Sequence, residues 1–142
     1  RPDPEASKQQ LEALTDELKS AKSYEEARKV FLSQQELMSH ISTAATLASI
    51  RHSIDTRDTF YDGEEKFWNS FYPELPEYNQ AWTAAMLESP FRADFEQEYG
   101  DLMFLNAEIA LKTFSPAIIP ELQQENDLTQ EYEKLLASAQ IP

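Results

Sequence analysis

Apolar residues recur along this chain at intervals of three and four, the spacing that places side chains on one face of an α-helix. Leu11, Leu14, Leu18 and Ala21 form the first such stripe. Asp3-Pro4 stands before it as a start signal: a capping carboxylate, then proline where no helical N–H is needed. The spacing predicts a helix over 4–21. Ser23 with Glu26 three positions on is a capping box, and it opens a long helix predicted over 23–54. Its stripe passes through Ala27, Val30, Phe31, Met38, Ile41, Ala45 and Ala48, with Leu37, Ala44, Leu47, Ile50 and Ile54 beside it. Ala44, Ala45 and Ala48 are small enough to let another helix come close.

Phe60, Phe67, Phe71, Leu75, Tyr78, Trp82 and Ala85 keep up the helical repeat across Pro73 and Pro76. Proline breaks a helix interior, so the stretch is predicted as two helices, 57–72 and 77–88. Ser89-Pro90 and Ser115-Pro116 repeat the serine-cap-plus-proline signal, and Tyr99-Gly100 reads as a helix end with glycine in the left-handed cap. These marks delimit three more helices. Helix 90–99 is expected to bury Phe91 and Phe95, and helix 101–113 to bury Leu102, Leu105 and Ile109. Helix 116–139 carries Ile118, Ile119, Leu122, Leu128, Tyr132, Leu135 and Leu136, with Pro120 expected at most to bend its first turn.

Composition points the same way. The chain has two glycines and a single valine, Val30, which suits helices and not sheets. The expectation is an all-α fold: one domain over 1–142 of six or seven helices, the long ones antiparallel around a bundle core. The formal net charge is −14, from 26 acidic against 12 basic residues. Nucleic acids and anionic lipid surfaces attract clustered Lys and Arg, so this balance argues against both as partners. With no cysteine there is no disulfide framework, which suits the cytoplasm. No apolar run approaches the roughly 18 residues of a membrane span.

Candidate chemistry concentrates in the polar run from Arg51 to Asp62, which interrupts the helical pattern with one of the two histidines and three carboxylates. Such a run is a catalytic cluster, a buried polar network at a helix corner, or a solvated turn. His52, Asp55, Thr56 and Thr59 would share one helix face, and Arg51, Asp55, Asp58 and Asp62 a neighbouring one. Side chains on a single helix run side by side and do not converge on a substrate as a triad must. The spacing therefore favours a structural network, with Asp55 or Thr56 capping the next helix and Arg51 or Arg57 pairing with Asp58. Metal chemistry is disfavoured too. His40 and His52 belong to no His-Glu-x-x-His motif and to no Glu-x-x-His pair. Half of the 16 aromatics lie between Phe60 and Trp82, a stripe best read as core and otherwise as a surface for a second domain or a peptide.

Two segments together resemble a known family. Thr46-Leu47-Ala48-Ser49-Ile50 continuing through Arg51-His52-Ser53-Ile54-Asp55 to Tyr61 is similar to a stretch near the N-terminus of oligoendopeptidase F-like proteins, bacterial relatives of thimet oligopeptidase. Leu111-Lys112-Thr113-Phe114-Ser115-Pro116, with Glu125-Asn126, Leu128, Tyr132, Leu135 and Ala137-Ser138-Ala139, is similar to a later stretch of the same region. Arg1-Pro2-Asp3 and Ser89-Pro90-Phe91-Arg92 fit in the right order, so the likeness covers nearly the whole chain.

The resemblance implies the N-terminal helical domain of a zinc metallopeptidase that cuts short peptides in a closed channel. In that family the zinc ligands and transition-state donors lie in a later domain, so no catalytic, cofactor-binding or metal-binding residue is carried over to this chain. The ends at Arg1 and at Ile141-Pro142 are read as the limits of a domain excised from a longer protein. The implied partners are its own C-terminal catalytic domain, where zinc is expected, and oligopeptide substrate. Bared of that domain, the chain is expected to self-associate. Arg51, His52, Asp55, Asp58, Tyr61 and Trp68 become candidates for lining the channel or docking the second domain. The competing reading is a free-standing acidic helical interaction module without enzymatic role.

Overall fold

Helices begin where a side chain can take up otherwise free N–H groups. In the computed structural model, which describes residues 1–113 and 115–139, the Asp3 carboxylate accepts the Ala6 N–H at 2.7 Å and opens α1 (Pro4–Ser20). Phe114 and Ile141-Pro142, quoted above for the resemblance and the chain end, lie outside the described residues. Ser23 Oγ accepts the Glu26 N–H at 3.2 Å and opens α2 (Tyr24–Ile54). The Glu26 carboxylate reaches back to the Lys22 N–H at 2.7 Å, one residue beyond the partner a capping box would give it. Asp58 Oδ1 accepts from the N–H groups of Phe60 and Tyr61 and opens α3 (Thr59–Phe71).

The two prolines divide the chain less than the sequence suggests. One 3₁₀ turn, Tyr72–Glu74, joins α3 to α4 (Leu75–Glu88), and Pro76 falls in the first turn of α4, where its missing N–H goes unneeded. The apolar repeat therefore continues from Phe71 to Leu75, and Pro73 is itself buried. After α5 (Arg92–Tyr99), Gly100 ends the helix at φ +87° and ψ 160°, a glycine region, but an extended one and not the left-handed helical cap expected. Then comes α6 (Leu102–Thr113). Pro120 does more than bend the last helix: Pro116–Ile118 form a 3₁₀ turn capped by Ser115, and α7 (Ile119–Ser138) starts only behind it.

The fold is all-α, with seven α-helices and two 3₁₀ turns among the described residues. α1 runs antiparallel to α2 and parallel to α4. Leu14 and Leu18 of α1 meet Ala27 and Phe31 near the start of α2, in a core that Trp82, Ala85 and Met86 of α4, Phe95 of α5 and Phe104 of α6 complete. Leu11 of α1 meets Ile41 farther along α2, in a second core with Ala48, Trp68, Phe71 and Leu75. Phe95 is fully enclosed, its ring 5.1 Å from that of Tyr24 and 5.4 Å from that of Phe31. Phe91 beside it is half-buried.

The last two helices overturn the expected burial. In α6 it is Phe104 that is enclosed, while Leu102, Leu105 and Ile109 are more than half exposed. In α7 the stripe Leu128, Tyr132, Leu135 and Leu136 faces outward, at 57%, 59%, 67% and 56% exposure. Phe95→Ala is therefore expected to cost about 3–5 kcal/mol, as loss of a buried aromatic does, and Leu105→Ala less than about 0.5 kcal/mol. Urea unfolding of the two variants checks this. Comparable losses would mean that the stripe of α6 is buried after all.

Candidate functional site

The run from Arg51 to Asp62 folds as the corner between α2 and α3. Asp55 ends α2, accepting the Arg57 backbone N–H and Nε at 3.1 Å each. The Arg57 guanidinium holds the Asp55 carboxyl below the usual carboxylate range. Capping falls to Asp58 and not to Asp55 or Thr56, and Arg57 pairs with Asp55 and not Asp58. A structural network is present, with its partners exchanged.

The six candidate residues do not form one site. Arg51, Asp55 and Asp58 are exposed, and Tyr61 is half-buried with its ring edge-to-face on Phe60 at 5.0 Å. Trp68 belongs to the second core. His52 is fully buried, and its Nε2 lies 3.7 Å from Asp62 Oδ1, too far for a hydrogen bond. Among the described residues neither ring nitrogen has a partner, nor has Glu65 Oε2 nearby. Burial raises the Glu65 carboxyl above its ordinary range. An imidazole sealed in this way packs inside the corner and presents nothing to the surface.

The residue that gathers partners is Asp62. Its Oδ1 accepts from Gln130 Nε2 at 3.0 Å and pairs with the Lys134 ammonium, while Oδ2 faces Lys66 at 3.1 Å. Those ion pairs, Lys134 first, hold its carboxyl below the usual range. Asn69 Nδ2 donates to Gln130 Oε1 at 3.1 Å, and Gln123 Nε2 donates to the Ser70 carbonyl at 2.7 Å. This polar clasp ties α7 to α3 antiparallel. Sequence reasoning placed Asp62 on a charged stripe but missed Asn69, Gln130 and Lys134. The available signal was that Gln123, Asn126, Gln130 and Lys134 also recur at intervals of three and four.

The clasp sets a pH dependence. Asp62 binds its proton less tightly when folded, so its contribution is present above the unfolded pKa near 3.9 and is lost as pH falls through the lower folded value. Glu65 runs the other way: its contribution is present in acid and is lost as pH rises through its raised folded value. Asp62→Asn should cost about 1–2 kcal/mol at neutral pH, in line with hydrogen bonds to charged groups, with the gap narrowing below about pH 4. Glu65→Gln should not destabilise at neutral pH. Urea unfolding across that range tests both, and an Asp62→Asn penalty that stays constant with pH would exclude the clasp.

Comparison with known proteins adds the family. The model of the peptidase M3 N-terminal domain matches residues 1–114. An X-ray structure assigned as an oligoendopeptidase F is 38% identical with a TM-score of 0.94, covering 99% of this chain and 25% of its own. A second so assigned, from Bacillus anthracis, gives 38% identity, a TM-score of 0.94 and coverage of 100% and 26%. PZ peptidase A, solved with an inhibitor, gives 38%, 0.93, 99% and 25%. A search of curated proteins gave no match. The chain thus spans about a quarter of the length of these solved relatives. The ordered likeness noted in the sequence extends through the fold, and the chain belongs to the peptidase M3 N-terminal domain family.

Proposed function

We propose that this chain is the non-catalytic N-terminal part of a zinc-dependent oligopeptidase, walling one side of the substrate channel and restricting access to short peptides. The observation that carries the reading is the orientation of α7. An amphipathic helix on a free-standing domain turns its apolar stripe to the core. Here α7 turns Gln130 and Lys134 inward to Asp62 and leaves Leu128, Tyr132 and Leu135 bare. Ile54 of α2, three quarters exposed, lies beside Leu135, so this surface is apolar where a further body of protein would pack. The chain covers only about one quarter of its solved relatives, which supports a larger partner body, and a self-sufficient acidic module would need no such face.

Zinc and bond cleavage belong, in this reading, to the remainder of the peptidase. Two histidines, no cysteine and, among the described residues, no group of three or more His, Asp or Glu able to hold a metal ion do not fit a zinc site. No catalytic step is assigned to this chain.

The reading has four expected outcomes. The gene continues past Pro142 into a His-Glu-x-x-His sequence, and a stop codon there would overturn it. The purified chain alone binds no stoichiometric zinc and cleaves no quenched fluorescent peptide. In the longer polypeptide, Leu128→Glu combined with Leu135→Glu lowers peptide cleavage or admits larger unfolded substrates, by about tenfold if roughly 1.4 kcal/mol of docking is lost. Unchanged rates and unchanged size selection would remove the wall from the proposal. Alone at high concentration, the chain self-associates through the same stripe, and that double variant should sediment as a monomer.

A further inference from the structure

A groove on another part of the surface lies between α2, α4 and α6, with a volume of about 410 Å³. Each helix gives it one face at the i, i+3, i+4, i+7 spacing. From α2 come Phe31, Gln34, Gln35 and Met38. From α4 come Asn79, Trp82, Thr83 and Met86, and from α6 Met103, Asn106, Ala107 and Ala110, with Phe104 beneath them. Phe31, Trp82, Met86 and Phe104 are buried and make the floor. All three methionines of the chain are here. Unbranched, polarisable thioethers adapt to an incoming apolar shape, and they gather at surfaces that receive apolar helices.

Charge narrows the occupant. None of the thirteen lining residues is charged, although 27% of the chain is, so about three or four would be expected. The polar groups are carboxamides, of Gln34, Gln35, Asn79 and Asn106, and the Thr83 hydroxyl. A charge carried into this groove would lose its water and find no counter-charge. Anionic ligands are opposed further by the net charge of −14. Neutral carboxamides, in contrast, offer both donors and acceptors to neutral polar groups at an apolar rim. Ala107 and Ala110 leave the α6 lip low enough for a backbone to approach.

We propose that this groove is a docking site for the uncharged apolar face of an α-helix, which enters as a fourth helix between α2 and α6. It is separate from the bare stripe on α7 and stands or falls independently of the channel-wall reading. The methionines supply the test, since each ¹³C-labelled methyl group reports on the groove. A capped, charge-neutral helical peptide with leucines spaced three and four apart should shift all three methyl signals saturably. Glutamates in place of two of those leucines should abolish binding. Ala107→Glu and, separately, Asn106→Asp should weaken the neutral peptide at least tenfold while circular dichroism shows the same melt, with Asn106→Asp the safer variant because its side chain is exposed. The proposal is overturned if millimolar peptide moves no methyl signal, or if the glutamate peptide binds equally well. It is overturned too if both folded variants keep full affinity. Shifts produced by concentrating the chain alone would assign the groove to a second copy, and saturation by benzyl alcohol with the peptide inert would assign it to a small molecule; either result ends the helix proposal.

Discussion

The 31 residues of α2 set the problem the other helices solve. At 1.5 Å per residue that helix is about 46 Å long, more than one compact core can cover in a chain of this size. The core accordingly divides in two along it, one part around Phe31 and Phe95 and the other around Ile41 and Phe71. α1 and α4 span both parts, with Leu11 and Leu75 in one and Leu14 and Trp82 in the other. Removing apolar surface from water is non-directional, so these contacts fix proximity more than register. Directional bonds supply register at the edges. Arg28 and Tyr24 of α2 both engage Glu98 of α5, and Arg92 joins Glu96 to Glu108 across α5 and α6. Burial and the Glu98 contact push the Tyr24 hydroxyl up to about 12, so it remains a neutral donor through the physiological range.

The far end of α2 is held differently. Beyond Ala48 its only fully enclosed side chain is His52, and its exposed Ile50 and Ile54 have no cover. Register there comes from α3, whose Asp62 reaches both toward His52 and across to α7. Polar contacts between α3 and α7 are conditional in a way the apolar cores are not, because they need ionised Asp62. The α7 end of the molecule is thus the part whose attachment is most sensitive to acid and to the loss of a single carboxylate.

Helix starts were legible in the sequence because capping is local chemistry. Asp3, Ser23 and Ser115 act where the sequence places them, but Ser89 and the corner misled. Ser89 Oγ accepts the Phe91 N–H in a turn before α5, which opens only at Arg92 without a side-chain cap. Among Asp55, Thr56 and Asp58, all competent caps, the geometry chose Asp58. The α1 and α2 stripes were legible because their covers lie within the chain. Leu105 was misassigned for the opposite reason: spacing shows that a face is apolar, but nothing local says what will cover it. Gln130 was passed over because an isolated glutamine on a helix is ordinarily solvated, and only the arrival of Asn69 and Asp62 from 61 and 68 residues away makes it a core group. The candidate site had the same limit, since only topology separates the enclosed His52 from the exposed Asp55.

Two apolar surfaces therefore differ in what they can accept. The α7 stripe shares its surroundings with Glu121, Glu125 and Glu131, so a partner there can place charge at its rim. The groove between α2, α4 and α6 is concave and free of charge, so it selects for neutrality as well as shape. A surplus of 14 negative charges opposes encounters between copies more than docking of a neutral or basic partner, and salt relaxes that opposition. Bare apolar faces and an acidic surface are in this sense one arrangement: the charge confines association of copies to high concentration and salt, and the apolar faces hold whatever less acidic body arrives.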